Sequence, residues 1–470
     1  MCPSSQTEIP STSYLPFSSM PLNENLLSNL ASLGYETMTA IQAQSLPIML
    51  NGEDVLAQAK TGSGKTAAFG LSLLNTINVK LFAVQALVLC PTRELAEQVA
   101  QAIRALARQM PNVKIINVSG GMPMKPQLDS LKHGAHIVVG TPGRIQKHLD
   151  KETLVLDKIT TLVLDEADRM LDMGFLDAIR AVAKLCPKKR QTLLFSATFP
   201  PEIKRMSIEF MNNPKEVVIQ DIATEQHIEQ LFYDVTQADK FNVLTALLKQ
   251  HKPNSTIIFC NTKQLTTETA LSLKREGFSA IALNGDMEQI DRDLAIIKFT
   301  NQSCSILVAT DVAARGLDIQ ELPLVINYEL AHDSDTHTHR IGRTGRAGNK
   351  GLAISLTTTS DAYKIHLIEE KNSSPLAWGN IDKLKHSNEI PAYPAMVTLC
   401  LDTGKKDKIR AGDIVGALTK DNALSFDMIG KINILPLKSY VAIQKNQASQ
   451  ALKIFQEGKL KGRTVRVKKI

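Results

Sequence analysis

The sequence has no run of about 18 apolar residues, so no segment is long and apolar enough to span a membrane. It has no CxxC pair. Its six cysteines, Cys2, Cys90, Cys186, Cys260, Cys304 and Cys400, stand scattered. That spacing argues against structural zinc and against a disulfide framework, and it fits a reducing cytoplasm. The N-terminal stretch MCPSSQTEIPSTSYLPFSS lacks the basic and apolar regions of a signal peptide and reads as a disordered tail over residues 1–16. Acidic charge is scarce at the other end. From Pro394 onward, 12 Lys and 3 Arg face 5 Asp and 1 Glu, a net +9. The whole chain carries +7, so the remainder carries −2. The basic balance therefore resides in a small tail domain and points to a polyanionic partner. At 470 residues the chain is too long for one core, and two or three domains are expected.

What is present begins with Ala59-Lys60-Thr61-Gly62-Ser63-Gly64-Lys65-Thr66. A short apolar run, Asp54 to Ala57, precedes it, and a helix-suited stretch, Ala67 to Leu74, follows. Strand, glycine-rich loop and helix are what a phosphate cradle needs, because backbone N–H groups and the helix dipole converge there. Lys65 can reach the outer phosphates, and the Thr66 hydroxyl can hold Mg²⁺. Ala59 occupies a position where the pattern asks for glycine.

Downstream, apolar strands alternate with helical stretches, and each strand ends in a small polar cluster. The clusters are Pro91-Thr92-Arg93-Glu94, Thr141-Pro142-Gly143-Arg144, Asp165-Glu166-Ala167-Asp168 and Ser196-Ala197-Thr198. In a doubly wound sheet they all fall at the carboxyl edge, where ligands bind. Asp165 suits a metal held through water, and Glu166 suits orienting or deprotonating an attacking water. Thr92, Arg93, Thr141, Arg144 and Gly120-Gly121 suit close backbone approach and phosphate neutralisation, although taken alone they are better accounted for by helix caps and turns.

Asn212 to Gln230 is polar and suits a linker. The α/β rhythm then restarts without a second phosphate loop, which places the expected nucleotide in a cleft between two lobes. In the second lobe, Ala309 to Asp318 and His339-Arg340-Ile341-Gly342-Arg343-Thr344-Gly345-Arg346 are rich in polar groups. If the latter stretch is helical, His339, Arg343 and Arg346 share a face, and the two arginines suit charge on a transferring phosphoryl group. Asp382 to Pro394 reads as a linker. The tail then reads βαββαβ, with a last strand over Arg463 to Val467 and little aromatic stacking surface near Tyr440. Lys405, Lys406, Lys408, Arg410, Lys461, Arg463, Arg466, Lys468 and Lys469 are the candidate RNA contacts.

Together these stretches resemble the DEAD-box family of ATP-dependent RNA helicases, over roughly Phe17 to Gly351. The resemblance implies an α/β architecture: two tandem RecA-like parallel-sheet domains, 17–213 and 225–372, then a linker, 373–393, and a small α+β RRM-like domain, 394–470. It implies ATP and Mg²⁺ as cofactors. It gives adenine reading to Gln42 and ring stacking to Phe17. It makes Arg343 and Arg346 arginine fingers and Gly316 and Asp318 nucleotide contacts. Ser196, Thr198 and His339 take coupling roles. Thr92, Arg93, Gly121, Thr141, Arg144, Gly285 and Thr310 become RNA-backbone contacts. Met38, Asn284 and His337 depart from the family's usual Pro, His and aromatic, and are expected to tune the adenine site and lobe closure. The stretches LDTGKKDKIRAGDIVGAL and KGRTVRV resemble the RNA-binding domain of DbpA-type helicases, which implies large-subunit ribosomal RNA and pre-ribosomal particles as partners. An ATP-gated RNA clamp with little unwinding, and a DNA-directed motor, are the alternative readings.

Overall fold

The computed structural model describes residues 15–60, 62–219, 228–314, 317, 319, 321–345, 350–372, 375–384, 391, 393–420 and 423–470. Two compact units emerge, the first ending and the second beginning near residue 220.

The first unit is built on seven parallel strands: β1 (Val55–Gln58), β2 (Ala86–Leu89), β3 (Ile115–Val118), β4 (Ile137–Gly140), β5 (Thr161–Asp165), β6 (Gln191–Ser196) and β7 (Lys215–Val218). Their order is β3-β4-β2-β5-β6-β1-β7. The central strands are buried along their whole length, as the near-continuous Leu/Val/Ile runs require when helices cover both faces. One core contains Val88, Val139, Val163 and Phe195, and the other contains Leu87, Val138, Leu162 and Leu194, so alternate residues of each strand serve opposite faces. β7 lies beyond the expected boundary at residue 213. Its Val217 is buried and the strand pairs in register with β1, so the polar composition of this stretch marks a sheet edge rather than a linker.

The second unit holds another seven-stranded parallel sheet: β8 (Ile228–Asp234), β9 (Thr256–Phe259), β10 (Ala280–Leu283), β11 (Ile306–Ala309), β12 (Leu324–Asn327), β13 (Gly351–Thr357) and β14 (Ala377–Trp378), ordered β10-β11-β9-β12-β13-β8-β14. β14 falls within the stretch read as a linker. It pairs with β8, and the following Leu384 is buried in this unit's core.

The same unit carries an antiparallel sheet of β15 (Met396–Leu401), β16 (Ile429–Ile434), β17 (Ser439–Gln444) and β18 (Val467–Lys469), ordered β16-β17-β15-β18. Helices Ala411–Thr419 and Ala448–Glu457 pack on one face around Leu399, Leu401, Val441 and Ile443. The last strand starts at Val467, not Arg463. Lys461 and Gly462 adopt positive φ in a turn that returns Arg463 to Leu460, so pairing with β15 begins only at Val467. The other sheet face is covered. Cys400 and Tyr440 pack on Ile297, which lies on helix Gln289–Thr300 of the parallel-sheet lobe. Ser303 Oγ lies 2.6 Å from Thr398 Oγ1, and Asn301 Nδ2 donates to that same oxygen at 3.3 Å.

Candidate functional site

β1 feeds the glycine-rich loop, whose Ala59 N–H donates to Ser196 O of β6 at 3.0 Å. Gly64 caps helix Lys65–Thr76 at φ 95°. A Cβ there would lie 2.5 Å from Gln42 Nε2, so both the backbone sign and the space demand glycine. Ala59 is buried and sits before the turn, where a methyl fits. Lys65 is buried, and its Nζ donates to Ala59 O at 2.9 Å, holding the ammonium across the loop. Gln42 is no solvated residue. Its Oε1 accepts from Thr39 N–H at 2.8 Å and its Nε2 donates to Gly64 O at 3.1 Å, while Thr39 Oγ1 donates to Ser63 O at 2.8 Å. The helix that presents Gln42 is thereby tied to the phosphate loop. Phe17 is buried, with Tyr35 edge-on to it at a centroid distance of 6.2 Å, and Met38 is buried as well.

Asp165 closes β5, and Glu166 follows in left-handed backbone (φ 53°) as the cap of helix Ala167–Asp172. Burial raises the Asp165 carboxyl to about 6; Lys65 pulls it down and Glu166 pushes it up. Asp165 Oδ1 is buried without a hydrogen-bond partner among the described residues, as is Ser63 Oγ. A buried orphan carboxylate oxygen near the phosphate-loop lysine fits a hard cation, whose charge would remove the cost of ionising it. Cys90 lines this region. Burial first, then the charges of Asp165 and Glu166, push its thiol well above the usual range, so it is an inert wall.

Two further residues, to which the sequence alone gives no role, stand beside the acid pair. Arg169 Nη1 donates to Glu166 Oε2 at 2.8 Å, with both side chains buried. Asp168 Oδ2 accepts from Ala197 N–H and Thr198 N–H at 3.1 Å and from Thr198 Oγ1 at 3.2 Å, while Asp168 N–H donates to Ser196 Oγ at 3.3 Å. The Ser196–Thr198 turn is thus fastened to the acid pair's own helix.

At the carboxyl ends of β2, β3 and β4 the structure gathers another expected set. Thr92 caps helix Arg93–Leu106 through Leu95 N–H, and Thr141 caps helix Pro142–Leu149. The Arg93 guanidinium lies over Gly120-Gly121: a Cβ on Gly121, at φ 75°, would come within 1.9 Å of Nη1. Burial lowers the Arg144 pKa, and neighbouring Arg93 lowers it further. Two guanidinium groups this close, flanked by small residues, form a positive surface suited to a phosphate.

In the second unit, Thr310 is buried at the end of β11, and Gly285 lies against Lys263, whose Nζ is 2.5 Å from Asp286 Oδ1. Asn284 donates to Lys263 O at 3.2 Å and Thr267 Oγ1 at 3.0 Å, so it braces the Gly285 turn from below. The helix carrying His339 spans Ser334–Ile341 and stops at Gly342. Arg343 therefore does not share a helical face with His339. It sits buried in the following turn, where its N–H donates to Arg340 O and its carbonyl accepts from Leu322 N–H. Gly342 and the positive φ of Gly345 explain the break. Arg340, also unassigned from sequence, is 1% exposed and fixes this segment through Asp311, Asn327, Glu329 and Asn261. Thr61, Gly316, Asp318 and Arg346 lie outside the described residues, as does the tail over residues 1–14.

In the antiparallel-sheet domain, Lys405, Lys406, Lys408, Arg410, Lys461, Arg463 and Arg466 are all exposed, and so are Lys468 and Lys469. A cavity of about 340 Å³ lies between residues 402–409 and 460–465, lined in part by Lys408, Lys461 and Arg463. Lys461 Nζ reaches Lys408 O at 2.7 Å and Asp413 at 3.2 Å, and Arg463 lies 3.7 Å from Asp407. These exposed pairs are weak and exchangeable for a polyanion. Tyr440 is buried under the covered sheet face and presents no stacking surface.

Among the described residues no helix is long and apolar enough to cross a membrane. Residues 39–206 match the DEAD/DEAH box helicase family, 239–348 the helicase conserved C-terminal domain and 398–469 the DbpA RNA binding domain. The chain is 51% identical over 442 residues to ATP-dependent RNA helicase DbpA of Escherichia coli strain K12, covering 94% of this chain and 96% of that one. It is 37% identical over 474 residues to ATP-dependent RNA helicase DbpA of Bacillus subtilis strain 168, covering 96% and 99%. A solved S. cerevisiae Dbp5, bound to RNA and ADP BeF3, aligns with a TM-score of 0.72 at 32% identity, covering 78% of this chain and 96% of that chain. The matched ranges span the phosphate loop, the acid pair, the second parallel lobe and the basic tail domain of this chain, and the chain belongs to the DEAD-box ATP-dependent RNA helicases of the DbpA type.

Proposed function

We propose that this helicase pries open short duplexes in structured large-subunit ribosomal RNA, in the cytoplasm, during ribosome assembly. The observation that carries the target assignment is the tail domain: a net +9 and a cavity between two loops lined by Lys408, Lys461 and Arg463 with Asp402 and Asp407, on a sheet whose other face is occupied. Within this reading the helicase lobes are 17–213 and 225–372, extended by β7 and β14, and 394–470 forms the RNA anchor. Among the described residues, five cysteines are buried and free, in agreement with a reducing compartment.

The chemistry rests on the first unit's loop and acid pair. The N–H groups of the Gly62–Thr66 turn and the Lys65 ammonium hold phosphate oxygens. Gln42 reads the adenine edge, beside Phe17. Thr66 and Asp165 are the residues that would hold Mg²⁺, which supplies neutralisation of phosphate charge when bound. Glu166, steadied by Arg169, orients the attacking water and accepts its proton. Asp168 transmits the state of that helix to Ser196 and Thr198. Arg343 and Arg346 stabilise charge on the transferring phosphoryl group, and Gly316 and Asp318 contact the nucleotide. Thr92, Arg93, Gly121, Thr141, Arg144, Gly285 and Thr310 hold the RNA backbone without reading bases.

ATPase stimulation by whole large-subunit ribosomal RNA and by its fragments tests the anchor. The full chain should prefer one structured fragment, and combined Lys408→Ala, Lys461→Ala and Arg463→Ala should abolish that preference while unstructured RNA still activates. An unchanged preference removes the anchoring claim. Strand displacement decides between unwinding and clamping: RNA-stimulated hydrolysis with no duplex opening would establish the clamp.

A further inference from the structure

Arg144 is held from behind by a buried relay. Its Nη1 donates to Gln127 Oε1 at 3.1 Å and its Nη2 to Met122 O at 3.0 Å. Gln127, on helix Met124–Lys132, is 7% exposed. Its Nε2 donates to Ser119 O at 2.8 Å, which fixes the amide orientation and aims Oε1 at Arg144. The same Oε1 receives His148 Nε2 at 3.1 Å, which requires the imidazole proton on Nε2. His148 is fully buried one helical turn beyond Arg144, and its Nδ1 lies 2.9 Å from Thr153 Oγ1. Burial, then Arg144 and Lys151, hold its pKa down, so the ring is neutral.

One amide therefore joins three things: the glycine turn at Ser119–Gly121, the guanidinium of Arg144 and the helix behind it. The turn needs support, because Arg93 lies over Gly121 and would be expelled by any side chain there. Arg144 gives one N–H to buried Gln127 and one to the carbonyl of exposed Met122, which leaves three of its five for a ligand beside Arg93. Such an arrangement sets the direction of the outward donors and the spacing between the two cations. A solvated arginine would instead lose rotamer freedom each time it met a phosphate.

We propose that Gln127, backed by His148, is a positioning residue for RNA-backbone binding: it pre-orients Arg144 and the Gly120-Gly121 turn as one phosphate-binding unit. The inference rests on the reading that Arg144 touches RNA. It adds that the contact is lost when Gln127 is removed, although Gln127 carries no charge and touches no phosphate. The probe is a fluorescent single-stranded oligonucleotide, bound to the full-length protein in the presence of a non-hydrolysable ATP analogue, with affinity measured against salt concentration.

Arg144→Met should flatten the slope of log affinity against log salt by about 0.7, the value of one released counterion on a single strand. Gln127→Met should flatten it by a comparable amount and weaken binding roughly five- to tenfold. The double variant should add little to either single one. The KM for ATP should stay within twofold of the starting protein, because Lys65 and Asp165 are untouched. A variant that merely loosens the fold would lower the melting temperature without changing the slope. Should Gln127→Met fail to fold, His148→Met frees the same carbonyl oxygen and carries the same expectation on a smaller scale. If Arg144→Met lowers the slope and Gln127→Met does not, the relay has no positioning role, while the reading of Arg144 stands. If Arg144→Met leaves the slope unchanged, both fall together.

Discussion

Replacing Arg340 tests whether the second lobe's segment that carries Arg343 is held by one buried cation. Its Nε and Nη2 donate to the two oxygens of Asp311, each at 2.7 Å. Nη1 donates to Glu329 O at 2.6 Å and to Asn327 Oδ1 at 3.3 Å, and Nη2 also reaches Asn261 Oδ1 at 2.7 Å. The guanidinium carbon lies 5.1 Å from the centre of the Phe259 ring. Arg340→Met fills much of the volume but strands a carboxylate, two amide oxygens and a carbonyl. Removing one member of a buried ion pair costs about 3–5 kcal/mol. The Asp311 side chain is 18% exposed, so water can reach it, and the lower part of that range is expected. For a unit of this size each kcal/mol shifts the melting temperature by about 2–4 °C, giving roughly 6–12 °C. Arg340→Lys keeps the charge but cannot present the planar two-point fork, so it should recover only part of the loss. Denaturant unfolding of Arg340→Met, Asp311→Asn and the double variant measures the coupling, expected at about 1.5 kcal/mol or more. RNA-stimulated hydrolysis should fall in step, because the turn holding Arg343 begins on the Arg340 carbonyl. A loss below about 1 kcal/mol for Arg340→Met, or additive single effects, would refute the argument.

Three further outcomes follow from the same geometry. Glu166→Gln should retain ATP binding and lose RNA-stimulated turnover by at least about a hundredfold, read by steady-state ATPase and nucleotide titration; full activity would remove Glu166 from the chemistry. Gly64→Ala forces a Cβ to within 2.5 Å of Gln42 Nε2 at φ 95°, so nucleotide affinity should collapse while the far lobe's melting transition is unchanged. His337 is pushed down to about 4 by burial, then by Arg340 and Lys371, from an ordinary value near 6.5. The unfolded chain thus binds the proton first. Stability is complete above about pH 6.5, falls as pH drops toward 4, and by then has lost about 3 kcal/mol. His337→Phe should flatten that decline in urea unfolding across this window, and an unaltered decline would show that other groups carry it.

The chemistry-bearing clusters were legible because each is local. A glycine loop between strand and helix, or an acid pair at a strand end, occupies a few consecutive residues whose spacing states the geometry. Gln127 and His148 were not legible, since the atom they share joins residues 21 apart and neither position is unusual in its own helix. Arg340 stands in plain view among other cations, but its partners Asp311, Asn327, Glu329 and Asn261 lie 11 to 79 residues away in sequence, and only the fold brings them to it. The helical face considered over His339 to Arg346 fails because the helix Ser334–Ile341 stops at Gly342, in a turn that tertiary packing imposes around Arg343 and Leu322. β7 and β14 are two to four residues long with polar neighbours, so composition alone ranked them as linker. Each is real only because an existing sheet edge offers its hydrogen bonds.

The covered face of the antiparallel sheet decides where tail recognition can occur. A sheet of this order ordinarily offers its open face to unstacked bases, which pack on aromatic rings. Here Thr398 meets Ser303 and Asn301, while Cys400 and Tyr440 meet Ile297, so that face is spent on the parallel-sheet lobe. The loop edge with Lys405, Lys406, Lys408, Lys461 and Arg463 is exposed, and it carries cations beside Asp402 and Asp407 but no aromatics. Cations alone bind any phosphate backbone; selectivity then has to come from shape, from a folded RNA whose phosphates match the spacing of two loops around a cavity. The same surface must therefore reject an unstructured strand of equal charge once salt has weakened the purely electrostatic share of binding. That separates it from the Arg93–Arg144 surface of the first lobe, where two arginines among small residues have nothing with which to tell one sequence from another.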